Sequence, residues 1–350
     1  MKAHDATNPA APLPVLALLW FATLREVSRQ DHIVKDLLLA GTLFVIYGES
    51  NSGKTFFLLD LALTAARGAS WRGRRTRRGL VLYIAGEGAT SVRNRVAAYR
   101  VANPEVHGGL PFAIVPFAVD FLDPEAVTVL IETIRAAESE CGEKVVLVCI
   151  DTFARAVAGG DENSAQDVGL AVAGADRIRN ETGACVGFVH HAGKDATKGA
   201  RGSSALRAAV DTEIMVEGQS GQRTAVVCKQ RDLESGQRMP FELVPVEIDF
   251  DPEDNTLITS CVVRHLDDEA APAPAMVQLR GKAQRQLLSA LRARTETTPD
   301  HIYTLPDLRQ IGKELGLSKS TARYAVDAIV ASPYMQPTIG GYRFTDGVPK

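Results

Sequence analysis

"YGESNSGKTFF", Tyr47–Phe57, sets a run of small residues ending in Lys-Thr between two apolar segments. Its inner part, Gly48, Glu49, Ser50, Asn51, Ser52, Gly53, Lys54 and Thr55, fits G-x-x-x-x-G-K-[ST]. "TLFVIYG" (42–48) before it reads as a buried strand, and 54–67 after it as a helix, the context that gives the motif its force. The two glycines let successive N–H groups turn toward phosphates. Lys54 brings a point charge to the β and γ phosphates, and the Thr55 hydroxyl can ligate Mg²⁺. The helix, with Phe56 in its first turn, adds its positive end. The expected cofactors are ATP and Mg²⁺.

Further strand-length apolar runs alternate with helical patterns up to about residue 265. The strands are "GLVLYIAG" (79–86), "FAIVPF" (112–117), "KVVLVCID" (144–151), "CVGFVHH" (185–191), "TEIMVEG" (212–218) and "TAVVCKQ" (224–230). Several are apolar throughout, as in strands covered on both faces of a largely parallel sheet. The helices are 54–67, 90–100, 124–139 and 164–180. This rhythm predicts an α/β P-loop core.

Strand ends supply the chemistry. "KVVLVCID" ends in Asp151, a carboxylate suited to the Mg²⁺ shell. Thr152 follows it where a glutamate base would stand in an Asp-Glu pair, so the base must come from elsewhere. Glu87, in "YIAGEG", lies just past the next strand after the P-loop helix, where open α/β sheets bind ligands. It is the expected base for the lytic water. His190 and His191 end "CVGFVHH"; one of them can sense the γ-phosphate, and neighbours on a strand face opposite ways, which argues against paired metal ligation. Lys229 and Arg231 alternate at a strand end. They fit either cations that reach a neighbouring subunit's phosphates or a solvated edge that blunts sheet pairing.

The P-loop, "YIAGEG", "CIDT", "FVHHAGK", "ARGSSALRAAVD" and "CKQRD" occur in the order seen in the RepA-type plasmid replicative helicases and related phage ATPases. The chain resembles that group, AAA_25-like members of the RecA/DnaB-like class of hexameric P-loop ATPases, over about 40–245. The resemblance implies a RecA-like core and a homo-oligomeric, hexameric ring around single-stranded DNA. By position it implies catalytic roles for Glu87, Lys54, His190 and His191, and an interface role for Arg201. It favours Lys229 and Arg231 as trans cations, with Arg95 a weaker interface candidate. Loops 155–165 and 193–202 would face the DNA, through Arg155, Lys194 and Lys198, or be ordinary surface loops. The small RepA-type helicases lack the tail seen here.

That tail begins after "DDEAAPAPA" (267–275), a linker by composition. Residues 276–350 hold 11 Lys/Arg against 6 Asp/Glu, a local +5 in a chain of net charge −3. Three helical patterns and a hairpin at Gly340-Gly341 follow the order of a winged helix-turn-helix. Ser318 is the expected N-cap of the third helix. Ser318, Lys319, Ser320, Thr321 and Arg323 suit phosphate or base-edge contact, with Tyr342 and Arg343 on the wing; duplex DNA and a protein partner both fit. The expected domains are thus an N-terminal segment (1–40), a RecA-like ATPase domain (41–266), the linker (267–275) and a winged-helix-like domain (276–350).

Composition excludes other classes. With 45% apolar residues the 350-residue chain can build a large core, and its net charge rules out a general polycation. The five cysteines, odd in number and without C-x-x-C spacing, read as free thiols in a reducing cytoplasm. "VLALLWFA" (15–22) is too short for a bilayer, which takes about 20 residues. The basic run "RGASWRGRRTRRG" (67–79) reads as a charged turn before a strand, or as a nucleic-acid contact. Three functions compete: a ring helicase, a P-loop ATPase acting as a loader or regulator on DNA, and a small-molecule kinase.

Overall fold

The computed structural model describes residues 31–106, 108–192, 204–218, 221–267, 281–298, 301–330, 332, 334–338 and 340–345. They fall into two compact units, one ending at His265 and the other beginning at Leu266.

The first unit contains β1 (His32–Val34), β2 (Leu38–Leu39), β3 (Leu43–Gly48), α1 (Lys54–Arg67), β4 (Leu80–Ala85), α2 (Ala89–Ala102), β5 (Phe112–Val115), α3 (Pro124–Cys141), β6 (Val145–Asp151), α4 (Phe153–Ala156), α5 (Ala165–Thr182), β7 (Cys185–His191), α6 (Ser204–Ala209), β8 (Thr212–Glu217), β9 (Arg223–Gln230), β10 (Arg238–Phe250) and β11 (Leu257–His265). A nine-stranded sheet runs β11-β10-β9-β8-β3-β7-β6-β4-β5. From β8 to β5 every pairing is parallel. β9, β10 and β11 extend it in antiparallel fashion. This is the expected α/β core with a largely parallel sheet.

The parallel strands are buried because both faces are covered. Phe44 and Ile46 of β3 join α1 residues Phe57, Leu58 and Leu61 in one core. Leu43 and Val45, pointing the other way, join Leu130 and Ile134 of α3 and Val168 and Ile178 of α5 in a second. Local signals start the covering helices. Asp123 accepts a hydrogen bond from the Glu125 amide at 2.9 Å ahead of Pro124, and Ser164 caps α5 through the Asp167 amide at 3.3 Å.

β10 and β11 were not anticipated as strands. They form a long hairpin registered from Phe241↔His265 to Phe250↔Leu257. The arginine-rich run 67–79 is engaged within the unit. Arg67 pairs with Glu105 at 3.0 Å, Arg78 with Glu143 at 2.9 Å, and Arg77 with Asp31. Arg72 donates to the Pro240 carbonyl at 2.9 Å, and Arg74 to Gln237 at 3.0 Å. At the end of β11, His265 Nε2 lies 2.9 Å from Asp60 Oδ2 on α1. The Trp71 indole N–H donates to the same oxygen at 2.7 Å. With Arg72 3.2 Å from Nδ1 as donor, the neutral Nε2–H tautomer of His265 satisfies both contacts.

The second unit contains α7 (Lys282–Thr297), β12 (Ile302–Tyr303), α8 (Leu305–Glu314), α9 (Lys319–Val330), β13 (Met335–Thr338) and β14 (Gly341–Phe344). Its antiparallel sheet is ordered β12-β14-β13. Leu287, Leu291, Leu308, Ile311, Val326, Ile329 and Phe344 form its core. Thr304 and Asp307 make a capping box at the start of α8. Ser318 Oγ accepts from the Thr321 amide at 3.2 Å, as expected of the N-cap of α9. Among the described residues no helix is long and apolar enough to cross a membrane.

Candidate active site

β3, β4, β6 and β7 end together at one edge of the sheet, and each delivers a residue to it. Gly48 closes β3 in register with His191 of β7 and Val216 of β8. The loop then turns through Asn51 and Gly53, both at positive φ (64° and 95°), into α1. Gly53 tolerates this conformation because it carries no Cβ. Lys54 is buried, and its Nζ donates to the carbonyls of Gly48 at 3.1 Å and Glu49 at 2.7 Å. Burial lowers its pKa, while the charges of Asp151 and Glu87 act to raise it.

Asp151 ends β6 almost fully buried, across from Ala85 of β4. Tyr83 donates to its Oδ2 at 2.6 Å. Burial raises its pKa from the ordinary aspartate value, opposed by hydrogen bonding from Tyr83 and Thr55. Its Oδ1 is buried with no hydrogen-bond partner. The peptide joining Asp151 to Thr152 is cis.

Glu87 stands beyond β4 with half of its side chain exposed. Its Oε1 accepts from the Thr152 hydroxyl at 2.9 Å and lies 3.7 Å from His191 Nε2. His190, the neighbour on β7, is buried with its ring 5.1 Å from that of Phe153. The two histidines therefore diverge: one meets the carboxylate, the other the core. Phe56 carries the Arg95 guanidinium 4.4 Å above its ring, which places Arg95 over the first turn of α1 in its own chain.

Lys229 and Arg231 are not part of this constellation. Arg231 pairs with Asp211 Oδ1 at 2.7 Å, and Asp211 Oδ2 accepts from the Leu43 amide at 2.9 Å. Leu43 begins β3, so Arg231 lies at the opposite sheet edge, roughly 17 Å from the P-loop at the ordinary strand rise. Lys229 donates to the carbonyls of Arg207 at 2.7 Å and Val210 at 2.6 Å, at the end of α6. Beside it, fully buried Glu213 meets Arg207 at 3.0 Å. Lys194, Lys198 and Arg201 lie outside the described residues. Arg155 sits in the short helix α4 rather than in a loop, with its side chain exposed.

The family model of the AAA domain (AAA_25) matches residues 9–197, more than half of the chain. The chain belongs to the AAA domain family. It is a P-loop ATPase with an α/β RecA-like core. Among curated proteins none matches it in sequence. A KaiC-like protein from the hyperthermophilic archaeon Pyrococcus horikoshii OT3 is similar in structure, with a TM-score of 0.42 and 16% identity over 65% of this chain and 93% of that one.

The AAA domain fits Mg²⁺-ATP on its own geometry. The buried, unpartnered Asp151 Oδ1 is a cation-directed atom, and Thr55 lies close enough to bear on the same carboxylate. These two residues would hold the ion, which supplies charge neutralisation between the phosphates. Sequence reasoning missed Tyr83 and Thr152. Tyr83 lies inside an apolar strand and reads as core; Thr152 was noticed only for not being glutamate.

Proposed function

We propose that this AAA domain protein is an ATP-driven DNA motor of the replicative-helicase kind. It assembles as a hexameric ring around one DNA strand, with each ATP site completed by a neighbouring subunit. Glu87 takes the proton of the attacking water, Lys54 holds the transferring phosphoryl group, and Asp151 and Thr55 hold the metal shell. His191, 3.7 Å from Glu87, reports whether the γ-phosphoryl group is present.

One observation carries the reading. Arg231 is half exposed and paired with Asp211 at the sheet edge opposite its own P-loop, too far to reach its own phosphates, so any phosphate it serves is a neighbour's. A cation supplied in trans is worth about 10³–10⁵ in rate. The resemblance of "CKQRD" to the trans-cation segment of DnaB-like motors supports the same assignment. The test is mass in solution with Mg²⁺-ATP, alongside ATPase rate with and without single-stranded DNA. A ring whose rate rises on adding DNA is the expected result. A monomer or dimer indifferent to DNA would remove the proposal.

The C-terminal unit favours a second reading, a loader or regulator that stays on duplex DNA. The order of its elements is that of a winged helix, and α9 exposes Lys319, Ser320, Thr321, Arg323 and Tyr324. Slow ATP turnover without strand separation, together with salt-dependent duplex binding lost in Lys319→Ala/Arg323→Ala, would select it.

A further inference from the structure

The structure assigns a role to Thr152 that the proposed chemistry leaves open: we infer that it is the positioning residue for Glu87. The inference rests on Glu87 being the base. Thr152 occupies the N-cap of α4, where a threonine hydroxyl ordinarily accepts a hydrogen bond from the helix's first amides. It makes no such bond. Its hydroxyl is instead donated to Glu87 Oε1 at 2.9 Å. The cap has been given up for a contact with a carboxylate on another strand.

The geometry explains the use. Glu87 projects from Gly86-Glu87-Gly88 between β4 and α2, with half of its side chain exposed, so a contact from another strand is what would hold its rotamer. Thr152 is almost fully buried and follows Asp151 directly, so its hydroxyl is fixed relative to the metal-side carboxylate. His191 approaches the same Oε1 from β7. Among the described residues both contacts fall on Oε1, which leaves Oε2 to receive the proton of water. A base brought from β4 is thereby locked to β6, in place of a base standing next to the metal carboxylate in sequence. The bond needs a hydroxyl but no particular bulk, because it is the donated proton that holds the carboxylate.

Steady-state ATPase kinetics of the full chain with Mg²⁺-ATP test this, using Thr152→Val, Thr152→Ser, Glu87→Gln and the Thr152→Val/Glu87→Gln double variant. Valine keeps the shape and removes the donor. It is expected to lower kcat about tenfold with KM for ATP within about twofold, as for a misaligned base with an intact nucleotide cradle. Serine is expected to restore most of kcat. On the Glu87→Gln background the valine should add no further loss, since both changes act through one group. Should the valine variant fail to fold, Thr152→Ala carries the same comparison with serine. A kcat within about twofold of wild type, a rise in KM alone, a serine variant as slow as valine, or additive losses would each overturn the role of Thr152. Full turnover by Glu87→Gln would instead overturn the assignment of the base itself.

Discussion

Tyr83 donates to Asp151 Oδ2 at 2.6 Å, and this bond fixes which oxygen of the carboxylate is left for a cation. Phenylalanine at 83 would keep the packing and remove the donor. The expected result is a rise of about three- to tenfold in the Mg²⁺ concentration for half-maximal ATPase, with the limiting rate changed far less, because one hydrogen bond to a charged group is lost. A Mg²⁺ titration of the ATPase rate checks it.

Asp151 also stores instability. Burial raises its pKa, so its charged form is disfavoured in the folded chain. The sign follows from linkage: a carboxylate whose folded pKa is raised carries its penalty above that pKa and loses it as pH falls through it. Asp151→Asn should therefore raise the melting temperature of the metal-free protein at neutral pH, by about 2–4 °C for about 1 kcal/mol in a domain of this size. It should abolish ATP turnover. The gain in stability should shrink as pH is lowered through the raised pKa, which thermal unfolding at two pH values measures.

Arg231 and Lys54 belong to different sites if the motor is shared between subunits. Arg231→Ala alone should lose about 10³-fold or more in turnover with ATP binding nearly intact. Lys54→Ala should lose binding. Mixing the two inactive proteins should recover part of the activity, because one type of seam then joins an intact Lys54 to an intact Arg231. No recovery on mixing would overturn the shared site, since Arg231 is too far from Lys54 of its own chain to complete it.

Gly187 lies on β7 directly under Phe44 of β3. A Cβ there would come within 1.9 Å of the Phe44 ring, which neighbouring strands cannot relieve by a small shift. Gly187→Ala should destabilise the first unit by about 3 kcal/mol, the upper part of the overpacking range. Trimming the ring in Phe44→Leu/Gly187→Ala should recover part of it, as read from denaturant midpoints.

The parallel core and the strand-end residues were legible because their signals are local. Continuous apolar runs mark strands covered on both faces, and Gly48–Thr55, Glu87, Asp151, His190 and His191 each sit at or just past the end of such a run. β10 and β11 were not legible. Their run "RMPFELVPVEIDF" mixes prolines, charges and apolar residues, as an exposed antiparallel hairpin permits. The fate of the arginines in 67–79 was open for a different reason. A surface ion pair leaves no pattern along the chain, and partners such as Glu143 and Gln237 are far away in sequence. Tyr83 and Thr152 escaped because both act through hydroxyls on residue types common in cores and caps.

The contact of His265 with Asp60 has a mechanical consequence. His265 is the last residue of the first unit, and Asp60 lies on α1 less than two turns beyond Lys54. His265 is also paired with Phe241 of β10, so the point where β11 ends is tied both to its neighbouring strand and to the helix that opens at Lys54, and these three parts of the first unit are held to one another.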